Sequence, residues 1–166
     1  MDFKGKLADL KENLKAASLV QSADDLKVGN IIYVEMDKND GLVLSEGYPT
    51  RLKYVVVAGS KSDRKEVCAV LVNTDADYSD APDWKAEQYP LLQKNYPGVL
   101  DYDSWLDCTD PKTLTVRKLK AKKAEVKGCL IADDLKAVMT KLKNSDFIDP
   151  RTKKVYGISA YTPEDK

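Results

Sequence analysis

The densest chemistry in this sequence is cationic. Arg117, Lys118, Lys120, Lys122, Lys123 and Lys127 place six positive charges within eleven residues. Such a run can track a phosphate backbone as a stripe beside a cleft. It can equally be a solvated hairpin, with "LKAKKAEVK" the polar connection before a last helix. Charge alone leaves both readings open. The opposite sign gathers in "DADYSDAPD" (residues 75–83), whose four carboxylates would suit a hard cation. That segment lacks the spaced ligands, mid-loop glycine and closing glutamate of an EF-hand loop, so it reads as a flexible acidic loop. Laid across the basic stripe, it would mask it.

Histidine is absent. That excludes Ser-His-Asp and Cys-His catalysis, histidine acid–base pairs and zinc sites of the Cys/His type. Cys68, Cys108 and Cys129 are scattered with no C-x-x-C spacing, as reduced thiols would be. Cys68 and Cys129 lie in apolar runs and are expected to be small buried hydrophobes. No metal and no cofactor is expected. The 27 cations balance 27 anions, which argues against a general nucleic-acid coat protein but not against a local basic patch.

These residues must be positioned by one core, which is what 166 residues with 43% apolar content support. No apolar run approaches the ~20 residues of a membrane span. The charged opening "MDFKGKLADLKENLK" has no signal-peptide character. A cytoplasmic protein without a membrane partner is therefore expected. Phe3, Leu7, Leu10 and Leu14 form one apolar stripe, predicting a helix over residues 3–17 that docks on the domain. From Leu26 the pattern turns to β. "NIIYVEM", "LKYVVVAG", "EVCAVLVN" and "TLTVRKL" read as strands, and "YVVVAG" and "VCAVLV" as central ones covered on both faces.

Residues 75–104 form a long excursion rich in Asp, Pro, Tyr and Trp, with one short helix near residues 83–88. Ile131, Leu135, Val138, Met139 and Leu142 then define an amphipathic helix, acidic in its first turn and lysine-bearing near its end. The tail is expected to hold one short strand, "KVYGISAY", and to fray after it. The predicted organisation is mainly β with α. Residues 1–25 are helix and linker, residues 26–146 a small barrel with an insertion at 75–104, and residues 147–166 a tail.

Five stretches arrive in a telling order: "VGNIIYVEM" (28–36), "GLVLSEGYPTRLKYVVVAG" (41–59), "VLVNT" (70–74), "WLDCTDPKTLTVRKL" (105–119) and "KGCLIADDLKAVMTKL" (127–142). Together they resemble the MazF/PemK (Kid) family of toxin-type ribonucleases. The resemblance implies a small SH3-like, PemK-type barrel with the C-terminal amphipathic helix, to which the N-terminal helix and residues 75–104 are additions. It also implies metal-independent cleavage of single-stranded RNA, in which the ribose 2′-hydroxyl attacks the adjacent phosphorus. Arg51 would be the anion clamp and possible acid, Thr74 the positioning hydroxyl and Glu46 the candidate base. Lys53, Arg117, Lys118 and Lys120 would be the RNA-binding cations. A homodimer and a cognate antitoxin that silences it follow from the same resemblance.

The chain departs from the family pattern in two places. No Arg-Pro precedes the second strand, and no Pro precedes Thr74. The rival reading is a non-catalytic SH3-like module for a protein or nucleic-acid partner. Its surface would be Tyr78, Trp84, Tyr89, Tyr96, Tyr102 and Trp105.

Overall fold

The computed structural model describes residues 18–42, 44, 46–74 and 82–163. The helix expected over residues 3–17 and most of the acidic segment, residues 75–81, lie outside them. Seven strands form one curled antiparallel sheet, a half-barrel, with a few helices packed on it. The strands are β1 (Asn30–Asp37), β2 (Thr50–Ser60), β3 (Glu66–Asn73), β4 (Gln88–Leu91), β5 (Ser104–Asp107), β6 (Lys112–Thr115) and β7 (Glu125–Cys129). Their order is β4-β5-β3-β2-β1-β7, with β6 also paired to β3. The α-helices among the described residues include α1 (Pro82–Ala86), α2 (Val116–Ala121), α3 (Ala132–Asn144) and α4 (Pro150–Val155).

The central hairpins form where apolar, β-branched runs predict them. Both faces of β3 and of β2 from Val55 to Gly59 are covered, because side chains alternate across the sheet and both sets are apolar. On one face Ile31, Val56, Cys68 and Val70 pack beneath Val138, Met139 and Leu142 of α3. On the other, Ile32, Val34, Met36, Val55 and Leu71 pack with Leu114 and Leu119. The α3 helix buries the stripe its spacing predicts, with Ile131 outside as the N-cap residue.

Several expectations are corrected. "TLTVRKL" is not one strand: β6 ends at Thr115, whose hydroxyl accepts from the Lys118 N–H at 3.0 Å and starts α2. The polar "hairpin" beyond it contains β7, antiparallel to β1. The excursion 75–104 is not all loop. It supplies β4, and its Leu91, Tyr96 and Leu100 are buried in the main core. Cys129 is exposed at the end of β7, whereas Cys68 and Cys108 are buried.

The expected strand over residues 154–161 does not form: a helix, α4, runs into its first residues instead. Asp149 caps α4 by accepting from the Arg151 N–H at 2.7 Å, and Pro150 sits where a helix accepts proline. Beyond it Tyr156 and Ile158 are buried in the main core. The Tyr156 carbonyl accepts from the Ser60 N–H at 3.1 Å. A Cβ at Gly59 would overlap that carbonyl, so the close approach requires glycine.

Candidate functional site

Register decides which side chains meet at the open end of the β1–β2–β3 hairpins. Arg51 lies opposite Met36, and Lys53 opposite Val34. With Val55 they share the face of the second core, since residues two apart on a strand point the same way. The face therefore grades outward. Val55 is fully buried, Lys53 is half-buried and Arg51 is exposed.

Lys53 reaches across to β3, where its ammonium donates to the Asn73 Oδ1 at 2.9 Å. Burial, with the Arg51 guanidinium beside it, pushes the Lys53 ammonium down from the usual 10.5 to about 8. Neither Arg51 nor Lys53 forms an ion pair among the described residues. Two neighbouring cations without a counterion among the described residues, one half-desolvated, make a ready place for an anion.

The other expected catalytic residues are less closely assembled. Thr74 is exposed in a bend immediately after β3. The ladder ends at Asn73, so strand alternation does not aim Thr74 at Arg51. Glu46 is exposed in the turn it makes with Gly47, where φ is +85°. No hydrogen bond joins Arg51, Thr74 and Glu46 among the described residues. Asn73 was missed by the sequence reading. It sits one residue before the hydroxyl that the pattern emphasised, and only the β2–β3 register shows that it faces Lys53.

The basic stretch divides sharply. Lys118 of α2 contacts the Asp40 carboxylate and lies 3.6 Å from Asp37. Asp40 is buried and closes a capping box, accepting from the Asp37 N–H at 2.9 Å while the Asp37 carboxylate accepts from the Asn39 N–H. Lys118 thus anchors the turn that follows β1. Lys122 pairs with Glu35 at 3.3 Å and Lys127 with Glu125 at 2.6 Å. Arg117, Lys120 and Lys123 are exposed, with no ion pair among the described residues. Beside the anchored turn lies an open depression of about 430 Å³, lined by Asp37, Lys38, Asn39, Leu44, Tyr48 and Pro49.

The aromatic residues offered for the rival reading are largely engaged elsewhere. Tyr96 is buried, and the Tyr89 and Tyr96 hydroxyls both donate to the Asp134 carboxylate, at 2.7 and 2.5 Å. Burial, then that hydrogen bond, pushes the Tyr89 hydroxyl up to about 12. Tyr96 is shifted in the same direction for the same reasons. Trp84 and Trp105 are half-buried, and Tyr102 is exposed. Tyr78 lies outside the described residues.

Among the described residues no cluster of three or more Cys, Asp or Glu side chains is placed to hold a metal ion. No helix among them is long and apolar enough to cross a membrane. Comparison with protein-family models and with curated proteins finds no match for this chain.

Proposed function

We propose that the protein is an endoribonuclease of the MazF/PemK type on an SH3-like barrel. It cuts single-stranded RNA without a metal, by attack of the ribose 2′-hydroxyl on the neighbouring phosphorus. The observation that carries the reading is the Arg51–Lys53 pair, two cations on one rim face with no carboxylate against them among the described residues. A phosphodiester is the anion such a pair suits, because the planar guanidinium can engage two of its oxygens. The order of elements adds support. A cation-bearing β2 is followed by β3, which ends at Asn73 just before Thr74, and the α2, β7, α3 succession comes near the chain's end.

In this reading Arg51 clamps the phosphate, Thr74 positions it, and Glu46 accepts the 2′-proton when RNA lies across the turn. The exposed Arg117 and Lys120 track the strand's phosphates. Lys118 stays in its ion pair and serves the scaffold instead. A homodimer acting in the cytoplasm, inhibiting growth unless an antitoxin segment fills the groove, belongs to the same proposal.

The test is cleavage of a long, weakly structured RNA in EDTA by wild type and by Arg51→Ala. Cutting at reproducible sites by the wild type, reduced at least about 100-fold in the variant, is the expected result. Arg51 is exposed, so its truncation should leave the fold intact. If folded wild type, free of inhibitor, cuts nothing, the nuclease reading is wrong and a binding module takes its place.

A further inference from the structure

Breaking the phosphodiester leaves a 5′-oxygen that needs a proton as it departs. Histidine, the usual donor, does not occur in this chain. Arg51 is poorly suited, because a guanidinium holds its proton through the whole range in which proteins work. Lys53 lies two residues along the same face of β2, roughly 7 Å from it at ordinary strand spacing. We propose that Lys53 is a catalytic residue of this site, the proton donor to the leaving 5′-oxygen. The inference rests on the ribonuclease reading above, and it gives Lys53 a role beyond attracting phosphate.

The geometry suits that role. One of the three ammonium protons is committed to Asn73, which fixes the head of a side chain that would otherwise be mobile. Among the described residues nothing else accepts from this ammonium, which leaves the other two protons for a ligand. The surroundings are lopsided: Val34 and Met36 from β1 are apolar, Asn73 from β3 is neutral, and Arg51 on the same strand is cationic. No described carboxylate holds the proton in place. Half-burial and Arg51 bring its release to about pH 8, where a general acid is effective near neutrality.

The step balances. The 2′-oxygen–phosphorus bond forms and the phosphorus–5′-oxygen bond breaks. The 2′-proton passes to the base, for which Glu46 is the candidate. One ammonium proton of Lys53 passes to the 5′-oxygen, leaving a neutral amine that water reprotonates. The products are a 2′,3′-cyclic phosphate and a 5′-hydroxyl.

The experiment compares two oligonucleotides that share a cleavage site mapped with the wild type. One carries the natural linkage, and the other a bridging 5′-phosphorothiolate, whose sulfur leaves without needing a proton. Wild type should cut both, with the natural linkage losing rate above about pH 8. Lys53→Arg and Lys53→Met should lose about 100-fold on the natural linkage. On the sulfur linkage Lys53→Arg, which keeps the charge that attracts phosphate, should stay within a few-fold of wild type, and Lys53→Met should lose clearly less than on the natural linkage. Arg51→Ala should lose both.

Equal loss on both linkages in the Lys53 variants, or no loss on either, would overturn the proton-donor role while leaving the nuclease intact. A wild type that cuts neither would overturn the nuclease reading itself, and the Lys53 role with it. Circular dichroism of the variants separates these outcomes from misfolding.

Discussion

Replacing Lys53 by Met should stabilise the protein at neutral pH, and the gain should shrink as the solution becomes alkaline. The substitution keeps an unbranched apolar stem against Val34 and removes only the charged head, together with its hydrogen bond to Asn73. The ammonium loses its proton at about 8 in the folded chain, against 10.5 when exposed. Below pH 8 both states carry the charge, and folding bears the whole cost of half-burying it. Between about 8 and 10.5 the unfolded chain binds the proton and the folded chain does not, so stability rises with pH.

Above that window the cost is gone. Taken whole, the shift would correspond to about 3 kcal/mol, but the side chain is only half-buried, and solvent screening reduces this to about 1 kcal/mol. Urea unfolding of wild type and Lys53→Met, followed from pH 7 to 10.5, reads this directly, since all other titrating groups are common to both. The stability difference should move by about 1 kcal/mol in favour of wild type across the window. A difference that stays constant from pH 7 to 10.5 would show that the ammonium is unperturbed, and would remove one support of its acid role.

Two further substitutions test how the scaffold holds this rim. Gly59→Ala drives a methyl group into the Tyr156 carbonyl, so it should cost about 2 kcal/mol and lower the melting temperature by several degrees. An unchanged melting temperature would mean that α4 and the segment after it are not seated on β2. Lys118→Ala strands the buried Asp40 carboxylate and should also cost about 2 kcal/mol in urea unfolding, whereas Lys120→Ala should stay within about 0.5 kcal/mol of wild type. Equal effects of the two would contradict the division of the basic stretch into anchored and unpaired cations.

What could be read from the sequence follows the strength of the local signal. The three central strands were legible because β-branched, doubly apolar runs have few other fates. The α3 helix was legible because its apolar offsets fit one stripe. The shorter elements were not. β4 is four residues long and contains Pro90, so neither length nor alternation marks it. β7 carries Lys127 and Glu125, as a strand near a sheet edge often does, and its charge disguised it as a connection. At Thr115 a capping hydroxyl overrode a run of good strand formers. α4 did carry a signal, an Asp-Pro start, that the alternating "KVYGISAY" outweighed. In the site, Arg51 and Lys53 could be paired by counting along a strand. Asn73 could not, because its partner is twenty residues away and depends on register.

Register also explains why, among the described residues, charge of one sign is left over at this rim. β1 alternates acids with apolar residues: Glu35 and Asp37 point to one face, Val34 and Met36 to the other. The acids reach Lys122 and Lys118, which come from α2 and the turn after it, and those cations are neutralised locally. The apolar set lies opposite Lys53 and Arg51. Because the side-chain period of a strand is two, no small adjustment could bring Glu35 or Asp37 against them; only a slip of the whole register would, at the expense of both cores. Among the described residues, the ladder that anchors one group of cations therefore brings no carboxylate to the other. In the proposed ribonuclease, the phosphodiester of a bound strand would be the anion that meets this pair.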